Sequence, residues 1–225
     1  MARATHTAVD GSTVVLDGPV DLAAPVTSSI RYDEGGLVRE LTTAPLNAVD
    51  ALPYVVDEEY AHAGGTLRIG HRDEADAALG SHRRDTFAVW RGTAHALLLI
   101  ETEASSDTLI AVLDGLTLTE SPTGLAVEAA GLVPATTRLV KEIPGVGLAE
   151  VAPLVPEVAQ GLPRWAGTEV HGGELYRDEA RPGAPVLVLV GDTASTTLLL
   201  DGDGREADEA TTLAAELVVT WTAPD

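Results

Sequence analysis

Residues able to do chemistry concentrate in one stretch of this chain. Between His62 and His95 stand Arg68, Arg72, Arg83, Arg84 and Arg91, together with four of the six histidines (His62, His71, His82 and His95), against only Asp73, Glu74, Asp76 and Asp85. The other 191 residues carry nine bases against 31 acids. A guanidinium offers a planar fork of donors that matches phosphate or carboxylate. Arg68, Arg72, His82, Arg83, Arg84 and Arg91 are therefore the candidates for an anion-binding or inter-subunit surface. The competing expectation is that these bases pair with the chain's own surplus carboxylates, as surface ions commonly do.

Spacing argues against several other chemistries. No pair of histidines has the i, i+4 spacing of a helical metal site; His71 and His82 stand eleven apart. Asp201-Gly-Asp203-Gly-Arg-Glu206 resembles a calcium loop only at its start, because Arg205 and Glu206 occupy positions that need an oxygen ligand and a glycine. It reads instead as a solvated turn capping a helix. Gly145-Val-Gly147-Leu-Ala-Glu150 puts a carboxylate where a dinucleotide pyrophosphate would lie, so it is rejected as a fingerprint. Without a nucleophile elbow, a phosphate-binding loop or a metalloprotease motif, no catalytic residue and no cofactor is expected. The sequence has no cysteine, which removes disulfides and thiolate chemistry. Trp90, inside an apolar stretch, is expected in the interior.

Charge narrows the partners. A formal net charge of −21 repels phosphate backbones, so nucleic acid is not an expected partner. Thirteen arginines stand against one lysine, Lys141. GC-rich codon usage accounts for scarce lysine, and an acidic surface adapted to high salt accounts for the excess of acids; both readings stay open. The longest stretch without a charge is Pro182–Gly191, ten residues, against roughly 18 for a membrane helix. No transmembrane helix or secretory signal is expected, which suits a cytoplasmic protein or a component of an assembled particle.

The elements that must position these residues read mainly as strands. Asp114-Gly115 between two apolar runs predicts a hairpin, and Ser121-Pro122-Thr123-Gly124 predicts a second turn. With the buried run Ala96–Ile100, residues 95–128 are expected to form a four-stranded antiparallel meander. Further strands are expected at Ser12–Leu16, Leu37–Thr42, Thr66–Ile69, Thr86–Arg91, Thr136–Ile143, Glu174–Arg177 and Leu217–Thr222. Helices are expected at Arg72–Leu79, closed by Gly80, and at Glu206–Glu216. The runs 97–113 and 186–202 match at an offset of 89 residues, either as two ordinary hairpins or as a duplication.

These elements predict a mainly β protein, an antiparallel sandwich or flattened barrel with two or three short helices. Residues 1–35 are expected as an N-terminal arm or peripheral strand and 36–143 as the main β region. Residues 144–164 follow as a proline-rich connector, and 165–225 as a smaller C-terminal β region. The expected function is a non-catalytic interaction subunit that self-associates or joins a larger assembly. The alternative is a small-molecule or anion-binding protein, an enzyme included, using the Arg/His stretch 62–95.

Overall fold

A computed structural model of the chain describes residues 1–34, 37–76, 81–130, 134–162, 165–181, 184–200 and 204–224. It is mainly β with antiparallel pairing throughout, as composition and alternation predict. The chain divides into two compact units. A middle unit holds residues 9–11 and 27–137, and a terminal unit holds residues 1–8, 12–26 and 138–225.

The middle unit opens with a hairpin, β3 (Val26–Glu34) and β4 (Leu37–Pro45), followed by a short helix α1 (Leu46–Asp50). Four strands then meander: β5 (Val55–His62), β6 (Gly65–Asp76), β7 (Ser81–Arg91) and β8 (His95–Thr102). The last returns beside β4, so the strands pair in the order β3-β4-β8-β7-β6-β5. Helix α2 (Ser106–Asp114) and the hairpin β9 (Leu116–Ser121) and β10 (Gly124–Ala129) complete the unit. One face of the strands buries Leu67, Trp90, Leu97 and Leu99 against Leu109 and Leu113 of α2 and Leu125 of β10. On a second cluster Val49 of α1 packs with Ala44, Val89 and Ala96.

The terminal unit repeats this plan. Its elements are β11 (Pro134–Ile143), β12 (Gly147–Pro153), α3 (Pro156–Gln160), β13 (Thr168–Val170), β14 (Gly173–Arg181), β15 (Ala184–Val190), β16 (Ala194–Leu200), α4 (Gly204–Ala215) and β17 (Val218–Thr222). The pairing order β11-β12-β16-β15-β14-β13 is the order of the middle unit, element for element. Strand β17 pairs with β2 (Thr13–Gly18), whose other neighbour is β1 (Ala2–Thr7). Ala210 and Ala214 of α4, with Val14, Leu16 and Trp221, cover Leu139, Leu187 and Leu198. Residues 1–35 thus hold three strands, and Val14 and Leu16 are fully buried in the terminal core.

Several local expectations need correction. Residues 106–114 are helix rather than strand, so 95–128 is a strand, a helix and a hairpin. The Ser105 side chain accepts a hydrogen bond from Thr108 N at 3.2 Å, and Asp107 stands in the first turn. Leu109 and Leu113, four apart, are both buried, and Gly115 closes the helix. Capping and i, i+4 burial therefore outweigh the Asp-Gly turn signal. The helix expected from Arg72 is the end of β6 as far as Asp76, because cross-strand pairing with β7 decides the conformation there; Ala77–Gly80 lie outside the described residues. The connector expected at 144–164 contains β12, which pairs with both β11 and β16. Ala149 and Val151 point inward while Leu148 and Glu150 point out, and Pro156 merely begins α3, where proline is tolerated. Finally, 97–113 covers β8 and α2 whereas 186–202 covers β15 and β16, so the repeat does not run at an offset of 89 residues. It pairs β8 with β16 and α2 with α4.

Candidate functional site

Strands β6 and β7 carry the arginine-rich stretch, and their ladder sets its pairings. Arg72 faces Asp85 and Asp73 faces Arg84 across the two strands. Arg84 binds Asp73 through two hydrogen bonds of 2.7 and 3.0 Å. Arg68 hydrogen-bonds Glu59, and Arg91 hydrogen-bonds Asp50, which also lies 3.9 Å from Arg68. Arg72 and Arg83 both reach Asp85, at 3.0 and 2.8 Å. The histidines behave alike: His71 lies 2.6 Å from Asp57 and His62 lies 3.8 Å from Asp114. His82 faces Ala75 in the backbone ladder. The five arginines therefore distribute over four carboxylates of the same unit, with Arg72 and Arg83 sharing Asp85, instead of converging on one site. Arg84 and Asp73 are both mostly exposed, and such surface pairs contribute about 0–1 kcal/mol.

Asp85 differs because only 1 % of it is exposed. It accepts from Arg72 and Arg83, and from the Thr102 hydroxyl at 2.9 Å, so one transverse row of β8, β7 and β6 meets at a buried carboxylate. Burial alone would raise its pKa, but these hydrogen bonds outweigh burial and leave it lowered. Arg72 also lies 5.4 Å over the Phe87 ring, which stacks on Tyr54 at 5.2 Å. A carboxylate held this firmly in its ionised form braces the sheet and is a poor proton donor.

Glu120, at the end of β9, is held in a similar way. Its carboxylate accepts from three consecutive main-chain N–H groups, Thr93, Ala94 and His95, at 2.7–2.8 Å. Burial opposes ionisation, yet these donors and the His95 ring bring its pKa down to about 2. A Cβ on Gly92 would stand 2.5 Å from Glu120 Oε2, so this turn needs glycine.

The terminal unit contains a cavity of about 640 Å³ between α4 and the outer end of its sheet, within the range of ligand sites. Trp165, Val170, Leu175, Tyr176, Thr211 and Ala215 are among its walls. Glu174 organises the mouth: it accepts from Tyr176 Oη at 2.6 Å and from Gly167 N at 2.9 Å. Gly167 lies so close to β14 that a Cβ would come within 2.9 Å of Leu175 O. None of these residues was among the sequence candidates. The one signal that could have found them is Trp165, a large aromatic outside any apolar alternation, and it is 53 % exposed.

The same unit holds one buried and one half-buried base. Lys141, the only lysine, is 1 % exposed, and its Nζ donates to Ala24 O. Burial lowers its pKa against the pull of Asp21. Burial, and next the charge of Lys141, push His6 down to about 4.

Among the described residues no group of three or more His, Asp or Glu is arranged to hold a metal ion, and no helix is long and apolar enough to cross a membrane. The Asp201–Asp203 turn lies outside the described residues. No protein-family model, curated protein or solved structure matches the chain.

Proposed function

We propose that this chain is a non-catalytic interaction subunit that self-associates, as a component of a larger assembly such as a particle, an appendage or a virion. One observation carries the reading. Leu148 of β12 and Leu199 of β16 face each other in the ladder, and each is 40 % exposed. Their neighbours Ala149 and Leu198 are buried in the core, so alternation puts the two leucines on the opposite face of the sheet. The middle unit has apolar exposure on the equivalent strands, at Val38 of β4 and Ile100 of β8. A single exposed leucine needs no explanation; the facing pair Leu148 and Leu199 makes an apolar contact face in the terminal unit, and Val38 and Ile100, though not opposite each other, add apolar exposure on the matching strands of the middle unit.

The acidic surface modulates this contact. A charge of −21 opposes association of like copies at low ionic strength, and a Debye length of about 3 Å at 1 M salt removes most of that repulsion. Light scattering over a concentration series, in dilute buffer and in molar KCl, tests the reading. Oligomers should form, be favoured by KCl, and be lost in the double variant Leu148→Asp/Leu199→Asp. A protein that stays monomeric under all these conditions overturns it.

A further inference from the structure

The two units differ at one equivalent place. Hairpins β5–β6 and β13–β14 are each closed by a two-residue turn, with His62 facing Gly65 and Val170 facing Gly173. Counting outward from the turns, Tyr60 faces Leu67 in the middle unit and Thr168 faces Leu175 in the terminal unit. Tyr60 packs against the core that includes Leu109 and Leu113 of α2. Thr168 is too short to do the same against α4, and the 640 Å³ cavity opens there.

The strands that carry these residues differ as well. β5 continues along β6 as far as Val55, which faces His71. β13 ends at Thr168, and the preceding Gly167 N–H turns to the Glu174 side chain. Among the described residues, no strand pairs with β14 on this side from Tyr176 onward. An open strand edge is a template for an added strand, with main-chain bonds giving affinity and a pocket giving specificity.

We infer that this cavity and the adjoining edge of β14 bind an extended, basic segment of a partner protein that inserts an aromatic side chain beside Trp165. The middle unit indicates the occupant, since an extended strand with a tyrosine fills the equivalent place there. Charge indicates its sign. Glu216 lines the cavity and Asp178 and Glu179 are exposed along β14, while Arg177 is already engaged by Asp208 at 3.3 Å. This goes beyond the self-association proposed above and concerns a different surface.

Trp165 supplies the readout, because Trp90 and Trp221 are both buried. The probe is a blocked hexapeptide, Lys-Val-Thr-Tyr-Val-Lys, added to the full chain while iodide quenching of tryptophan emission is followed. The peptide should shield Trp165 in a saturable way, and its Tyr→Ala version should bind at least tenfold more weakly. Thr168→Tyr, which supplies the middle unit's own side chain, should abolish shielding with the circular dichroism unchanged. Ala215→Leu narrows the cavity from the α4 side and should do the same if Thr168→Tyr does not fold. Absence of shielding at millimolar peptide, or undiminished binding by a folded Thr168→Tyr or Ala215→Leu protein, overturns the inference. Scattering by the same samples reads self-association separately.

Discussion

In the middle unit the most buried charge among the described residues, Asp85, lies under two guanidinium groups and a hydroxyl. In the terminal unit the most buried charge among the described residues, Lys141, meets a main-chain carbonyl and the more distant pull of Asp21, while its own charge disfavours protonation of the neighbouring His6. The strand order is the same in both. A shared topology therefore leaves the treatment of buried charge open: the row of residues across three strands decides it. In β6 and β8 that row supplies Arg72 and Thr102 opposite Asp85, so its desolvation is offset. Across from Lys141, β12 offers only Ala149. Breaking a satisfied buried charge should cost stability, and removing a poorly satisfied one should add it.

The largest expected effect is therefore Asp85→Ala. It removes the partner of two partly exposed guanidinium groups and of the Thr102 hydroxyl, and should cost about 1–3 kcal/mol in urea unfolding, the range for hydrogen bonds to a charged group. A cost under 1 kcal/mol would reduce the Asp85 row to the level of surface pairs.

Acid should separate the two units next. The unfolded chain takes up a proton at His6 near pH 6.5, whereas the fold resists it until about 4. The terminal unit's share of stability is therefore complete above pH 6.5 and falls between 6.5 and 4. Glu120 is ionised in the fold down to about 2 against 4.5 when unfolded, so its share is complete above 4.5 and is lost as pH falls toward 2. Amide hydrogen exchange from pH 7 downward should show β1 and β11 losing protection before the turn at Thr93–His95. The reverse order would contradict this assignment of the acid-sensitive groups.

Lys141→Met is the smallest effect and has the opposite sign. It keeps most of the unbranched side chain, one heavy atom shorter, removes the buried ammonium and relieves His6 of a repelling charge. Stability should rise by about 1 kcal/mol, and the acid loss assigned to His6 should begin at lower pH or shrink. A clear loss of stability would show that the bond to Ala24 O is worth more than the desolvation of Lys141.

Much of the β architecture is legible along the chain. Alternation at Thr136–Ile143 and Leu217–Thr222, and the turn at Ser121–Gly124, correspond to β11, β17 and the β9–β10 hairpin. The missed elements share a cause. The run Thr108–Leu113 suits strand and helix equally, and the Ser105 cap settles it only when Leu109 and Leu113 find a core four residues apart. Prolines around 144–163 hid β12, whose alternation is only seven residues long and becomes a strand because β11 and β16 flank it. The arginines were visible as a group, yet their partners Glu59, Asp73 and Asp85 are chosen by strand register, and Asp50 by the position of the end of α1. Trp165, Tyr176 and Thr211 had no signal in common, because α4 and β14 meet only in the fold.

Composition alone establishes an acidic, cysteine-free chain whose alternating apolar residues drive it toward antiparallel sheet, because burial of every second side chain is a local property. Which unit fills its outer groove with Tyr60 and which leaves it lined by Thr168 and Trp165 depends on where the third strand of each repeat stops. Strand length of that kind is set by contacts between segments far apart in the chain, and these exist only after folding.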